Sequence, residues 1–212
     1  MSGTVRSLLS LGCNVAIVVL TVVSVLSVIL HRNEGEEKRP HFETFQYFTT
    51  DSNVLAALAA LLMLPFGVRG ALAGELTLPL WATLVKYVGT ASVTVTFLTV
   101  MVFLGPTQGY PAMFAGYGLY MHLIGPLLAI LSFCLLETGL DLTWGQMLLG
   151  LLPTFVYGTT YLVMAVKRGK DKGGWEDFYG FNVGRRWFVS YIAMHIGTLV
   201  ICVGLSALHN LC

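Results

Sequence analysis

SLLSLGCNVAIVVLTVVSVLSVIL, Ser7 to Leu30, is an apolar run of 24 residues. A helix needs about 20 such residues to cross a hydrocarbon core of roughly 30 Å, so this stretch can span a membrane by itself. It exceeds the apolar region of a secretory signal and no small-residue cleavage pattern follows it, so it is expected to be retained. Five more apolar stretches follow: Thr49 to Phe66, Leu80 to Leu104, Met113 to Leu136, Gly145 to Val166, and Trp187 to Leu208. Lipid offers no partner to backbone N–H and C=O groups, so each stretch must close its hydrogen bonds within itself as a helix.

Composition points the same way. Of the residues, 56% are hydrophobic and only 11% charged, and the mean hydropathy is +0.76, outside the range of a soluble domain. The expected fold is all-α: a polytopic membrane protein whose six transmembrane helices form one bundle and one domain over residues 1–212. Cys13, Cys134, Cys202 and Cys212 stand singly, with no C-x-x-C spacing, so no metal site or disulfide is implied. No cofactor and no nucleic-acid partner is expected.

Because loops alternate sides, connections 1–2, 3–4 and 5–6 share one face. That face carries Arg32, Lys38, Arg39, Lys167, Arg168, Lys170, Lys172, Arg185 and Arg186, against Arg6, Arg69 and Lys86 on the other. The excess of positive charge makes the first face cytoplasmic, in what is expected to be the cell membrane. Most of the bias comes from KRGKDKGGWEDFYGFNVGRR, residues 167–186, whose bases and aromatics could also meet anionic head groups.

Ionisable groups inside spanning segments are costly, so each is a functional candidate. They are Asp51, Lys86, His122 and His195, with Glu137 at a helix end. Lys86 and Glu137 lie near the outer face, where Lys86 can snorkel outward and Glu137 leaves the membrane. Counting a rise of 1.5 Å per residue from Met113 puts His122 roughly 13 Å deep, and His195 about 12 Å along the last helix. Thr49, Asp51 and Asn53 occupy the first turns of the second helix on the same side, so these groups could converge. That second helix opens with FQYFTTDSN, residues 45–53, where Thr49 or Asp51 could also act as an N-cap. Thr49 and Asn53 share a face, from which Asp51 points away. The hydroxyls of TASVTVT, residues 90–96, suit close helix packing or a polar cavity. Pro126, one turn after His122, removes a backbone hydrogen bond and could open space around the imidazole.

Phe45, Tyr47, Phe48 and Thr49 followed by Ser52 and Asn53, then Met121, His122 and Pro126, form a pattern over six spans. Together with Gly173, Trp175, Tyr179, Gly180 and Phe181 before the last helix, it resembles the androgen-induced, FAR-17a-type integral membrane proteins and their bacterial six-pass relatives. The asparagine lies one residue further from the threonine than in the animal members, and the histidine-to-proline gap is one residue shorter. The resemblance implies hydrolysis of lipid esters, notably esters of fatty acids with hydroxy fatty acids, with Thr49 as nucleophile and His122 as base. A threonine hydroxyl needs such a base near neutral pH. Ser52, Asn53 or Tyr120 could then stabilise the oxyanion, Asp51 could orient the histidine, and His195 could assist; the partner is a membrane lipid or fatty-acyl substrate. Three other readings are a non-catalytic lipid or solute binder or carrier, an acyltransferase using Cys134, and a structural partner in a larger complex, for which no positive feature stands in the sequence.

Overall fold

A computed structural model describes residues 1–30 and 42–212 of the chain. Arg32, Lys38 and Arg39, part of the charge count above, lie outside the described residues. Six helices carry the architecture: α1 (Gly3–Leu30), α2 (Phe48–Ala73), α3 (Leu80–Gln108), α4 (Tyr120–Leu136), α5 (Trp144–Arg168) and α6 (Trp187–Leu211). No strand occurs among the described residues, and the chain is an all-α, multi-pass membrane protein. Five of the helices, all but α4, are long and apolar enough to cross a membrane.

The exception corrects the expected fourth span. A helix from Met113 is not formed: Tyr110–Met113 is a separate turn, and α4 begins only at Tyr120. Gly109 and Gly116 adopt positive φ of 91° and 54°, a conformation glycine enters freely and a helix cannot contain. Both ends of α4, Tyr120–Ile124 and Ser132–Leu136, are π-helical. The first lies directly before Gly125 and Pro126, where the missing proline N–H leaves the His122 carbonyl without its helical donor.

The α3 helix is central: 56% of its most apolar stretch is buried, against 17% for α6. It packs against α2, α4, α5 and α6, while α1 lies along α2 and against α4. A Cβ on Gly89 would sit 3.0 Å from the Ala59 Cβ, so small residues set the α2–α3 approach. The buried face of α1 is largely polar (Ser7, Ser10, Asn14, Thr21 and Ser24), whereas Val15, Val19, Val22 and Leu26 face outward. This inversion of a soluble helix lets lipid take the apolar face and the bundle satisfy the polar one.

Lys86 and Glu137 differ from expectation. Both are 2% exposed, and Lys86 Nζ lies 3.5 Å from Glu137 Oε2. Lys86 also donates to Asn14 Oδ1 at 2.5 Å, and Asn14 and Ser10 donate to Glu137 Oε1 at 2.5 and 2.8 Å. Position along a helix suggested snorkelling; the partners on α1 and at the end of α4 make an internal pair instead. Arg6 donates to the Leu136 and Thr138 carbonyls, each at 2.6 Å, and His209 engages those of Phe133 and Leu140, so the unpaired carbonyls around the end of α4 find partners.

Removing one member of a buried pair leaves an uncompensated charge, so Lys86→Ala should lose about 3–5 kcal/mol in reversible denaturation in mixed micelles. Lys86→Met combined with Glu137→Gln should lose much less; equal losses would show that the two charges do not depend on each other.

Candidate functional site

FQYFTTDSN forms the junction of the bundle. Tyr47 is the N-cap of α2 through its extended backbone (φ −104°, ψ 129°), with no side-chain cap bond, so neither Thr49 nor Asp51 serves the capping role. The polar groups are dealt out to different neighbours. The Gln46 carbonyl accepts from Tyr157 of α5 at 2.7 Å. Thr50 bonds Thr44 at 2.8 Å, and Ser52 bonds Thr96 of α3 at 2.7 Å. Asn53 donates to the Met121 carbonyl of α4 at 3.0 Å and to the Thr49 carbonyl at 2.8 Å. The Tyr47 ring lies 4.4 Å from that of Phe178 in the loop before α6.

The Gln46 and Tyr47 side chains make no hydrogen bond among the described residues, and within α2 two more polar side chains are left over. Thr49 Oγ1 and the Asp51 carboxylate make no hydrogen bond or ion pair among the described residues. They sit two residues apart and so face different sides of α2.

On the Thr49 side stands α4. His122 is its third residue, as Thr49 is the second of α2, so both lie in the first turn of their helices. The depth of roughly 13 Å counted from Met113 is thereby corrected to about 3 Å from the start of α4. His122 Nδ1 lies 2.7 Å from the Met113 carbonyl. A carbonyl only accepts, so Nδ1 carries the proton and Nε2 keeps its lone pair. The orienting partner expected of Asp51 is thus a backbone oxygen, which no side-chain pattern in the sequence announces. Nε2 makes no hydrogen bond among the described residues, and none joins His122 to Thr49.

Both N–H donors of Asn53 are engaged, as is the Ser52 hydroxyl; these residues position α2 rather than offering free donors. The Tyr120 hydroxyl is unbonded among the described residues and the residue is exposed. His195 stands apart. Its Nδ1 bonds the Tyr191 carbonyl at 2.8 Å, its ring packs on Tyr191 and on Phe155 of α5, and its buried Nε2 has no hydrogen-bond partner among the described residues. Cys134 is buried, and its thiol donates to the Leu205 carbonyl at 3.9 Å.

The loop before α6, read from sequence as a charge determinant and a possible contact for anionic head groups, forms an aromatic cap. Asp177 accepts from Tyr161 at 2.9 Å and from the backbone N–H groups of Phe181 and Asn182, both at 2.8 Å. Trp175, Phe178, Tyr179 and Phe181 then pack on Tyr157 and Tyr161. Burial pushes the Tyr179 phenol up to about 12, so it stays neutral at physiological pH.

On the Asp51 side, α2, α3 and α5 enclose a groove of about 620 Å³. No group of three or more potential metal ligands occurs among the described residues. Comparison with protein-family models, with curated proteins and with solved structures finds no match.

An interhelical hydrogen bond in a membrane contributes about 0.6–1.7 kcal/mol. Asn53→Ala should therefore lower stability in micelles by that order, whereas Asp51→Asn, with no partner to lose, should stay within about 0.5 kcal/mol. A larger loss for Asp51→Asn than for Asn53→Ala would contradict this division of the junction.

Proposed function

We propose that the protein is a membrane-embedded lipid ester hydrolase with Thr49 as nucleophile and His122 as base. The observation that carries the reading is the bond from His122 Nδ1 to the Met113 carbonyl, which leaves Nε2 as a proton acceptor. The Asn53 link from α2 to the Met121 carbonyl supports it by holding the two helices together one residue from the histidine. The resemblance to the androgen-induced, FAR-17a-type proteins supplies the substrate class: esters of long-chain fatty acids, including those of hydroxy fatty acids.

In this mechanism Thr49 Oγ attacks the ester carbonyl carbon while its proton passes to His122 Nε2. The tetrahedral adduct collapses, the C–O bond to the alcohol breaks, and the alcohol leaves with that proton. Water, deprotonated by Nε2, then attacks the acyl-Thr49 ester; the acyl C–O bond to Thr49 breaks, Oγ takes the proton back from Nε2, and the fatty acid is released. Tyr120, two residues from His122, faces another side of α4, so the oxyanion donor is not supplied by that hydroxyl. In the reading's topology α4 completes six passes. Its 17 residues would span about 25 Å as a regular helix and less with π-helical ends, which calls for a locally thinned bilayer. The excess of Lys and Arg puts the Thr49 end at the cytoplasmic face of the cell membrane, where water arrives.

A second reading, a lipid-binding protein without chemistry, is favoured by the lack of a Thr49–His122 hydrogen bond. Catalytic bonds often tighten only when substrate is present, so turnover decides between the two. Purified protein should hydrolyse a fluorogenic long-chain ester, and His122→Ala should reduce turnover by about 100- to 10,000-fold, with Thr49→Ala at least as impaired. Full activity in either variant removes that residue from the mechanism, and no turnover by the wild type favours the binding protein.

A further inference from the structure

The groove on the Asp51 side is graded in polarity. Asp51, Thr160 and Trp175 line one end, and Leu55, Val88 and Leu152 line the rest. Thr160 and Leu152 are eight residues apart on α5, about 12 Å along the helix axis. Its volume falls within the roughly 300–1,000 Å³ of ordinary small-ligand sites. The polar end belongs to the first turn of α2, beside the aromatic cap, and the apolar end runs along α2 and α5, where Leu152 and Val156 leave the groove open to the outer surface. This is the shape of a single-chain amphiphile lying along the membrane normal, head group outward.

Asp51 decides which head group. It is the one ionisable carboxylate among the lining residues, and it has no ion-pair or hydrogen-bond partner among the described residues. A carboxylate flanked by Phe45, Phe48 and Trp175 is poorly solvated, so it attracts a cation strongly and repels an anion. The bases of the neighbouring loop do not neutralise it. Lys170 is exposed and 3.3 Å from Glu176, and Lys167, Arg168 and Lys172 are exposed and do not line the groove.

We propose that this groove binds a single-chain lipid with a cationic, amine-type head group, its nitrogen at Asp51 and its chain along Leu55, Val88 and Leu152. The site lies on a different side of α2 from Thr49 and does not depend on the hydrolase reading. It discriminates against free fatty acids, whose carboxylate would meet that of Asp51.

Trp175 lines the groove and reports on occupancy. In full-length protein with Trp81, Trp144 and Trp187 changed to Phe, quenching of Trp175 fluorescence is followed in detergent micelles. The two probes are dibrominated dodecylamine and dibrominated dodecanoate. The amine is expected to quench saturably at about tenfold lower concentration than the carboxylate, a modest demand on an unscreened charge contact. Asp51→Asn should abolish that preference and Asp51→Glu should keep it; the same micelles serve every variant, so partitioning cancels. Equal quenching by both probes in the wild-type groove, a preference for dodecanoate, or an amine preference that survives Asp51→Asn overturns the proposal. The readout is binding alone, so failure of ester turnover leaves it untouched, and its failure leaves the hydrolase reading untouched.

Discussion

Lipid donates and accepts no hydrogen bonds, and the arrangement of this bundle follows from that constraint. Every polar side chain that enters the membrane has to be matched by another part of the chain, carried to an aqueous edge, or left for a ligand. Two junctions answer the demand. Toward one end, Ser10, Asn14, Lys86 and Glu137 satisfy one another among α1, α3 and the end of α4. Toward the other, the first turns of α2 distribute bonds to α3, α4 and α5. Among what remains after that matching are Thr49, Asp51 and the Nε2 atoms of His122 and His195, where chemistry or a ligand can act.

The two free groups of α2 divide the functional question. Thr49 shares with His122 a position in the first turn of parallel-running helices, and the tautomer set by Met113 gives the imidazole a free base. Asp51 opens into an apolar groove with neither a base nor a nucleophile hydrogen-bonded to it. One short stretch can therefore serve a reactive site on one side and a selective lipid site on the other, because residues two apart on a helix cannot face the same neighbour.

The membrane helices were legible because long apolar runs leave no other structure available in lipid. The polar stretch at residues 45–53 and His122 stood out for the same reason, as groups in the wrong solvent, whereas the pairing of Thr49 with His122 came from the family resemblance. The start of α4 was not legible: Met113 through Leu119 is apolar enough to continue a span, and only the backbone angles at Gly109 and Gly116 interrupt it. Lys86 and Glu137 were misjudged because distance to a helix end says nothing of the neighbour waiting inside, here Asn14 of a helix more than 70 residues away in sequence. The carbonyl of Met113, which orients His122, could not be found in any pattern of side chains, since every residue carries one.

The claim that Thr49 is the nucleophile is tested most directly by mass spectrometry of the purified protein after reaction with a long-chain fluorophosphonate. The account predicts a single covalent adduct, mapped by fragmentation to Thr49 and absent when His122 is replaced by alanine. An adduct on Thr50, Ser52 or Cys134, or none on a protein that still hydrolyses its ester, would contradict it.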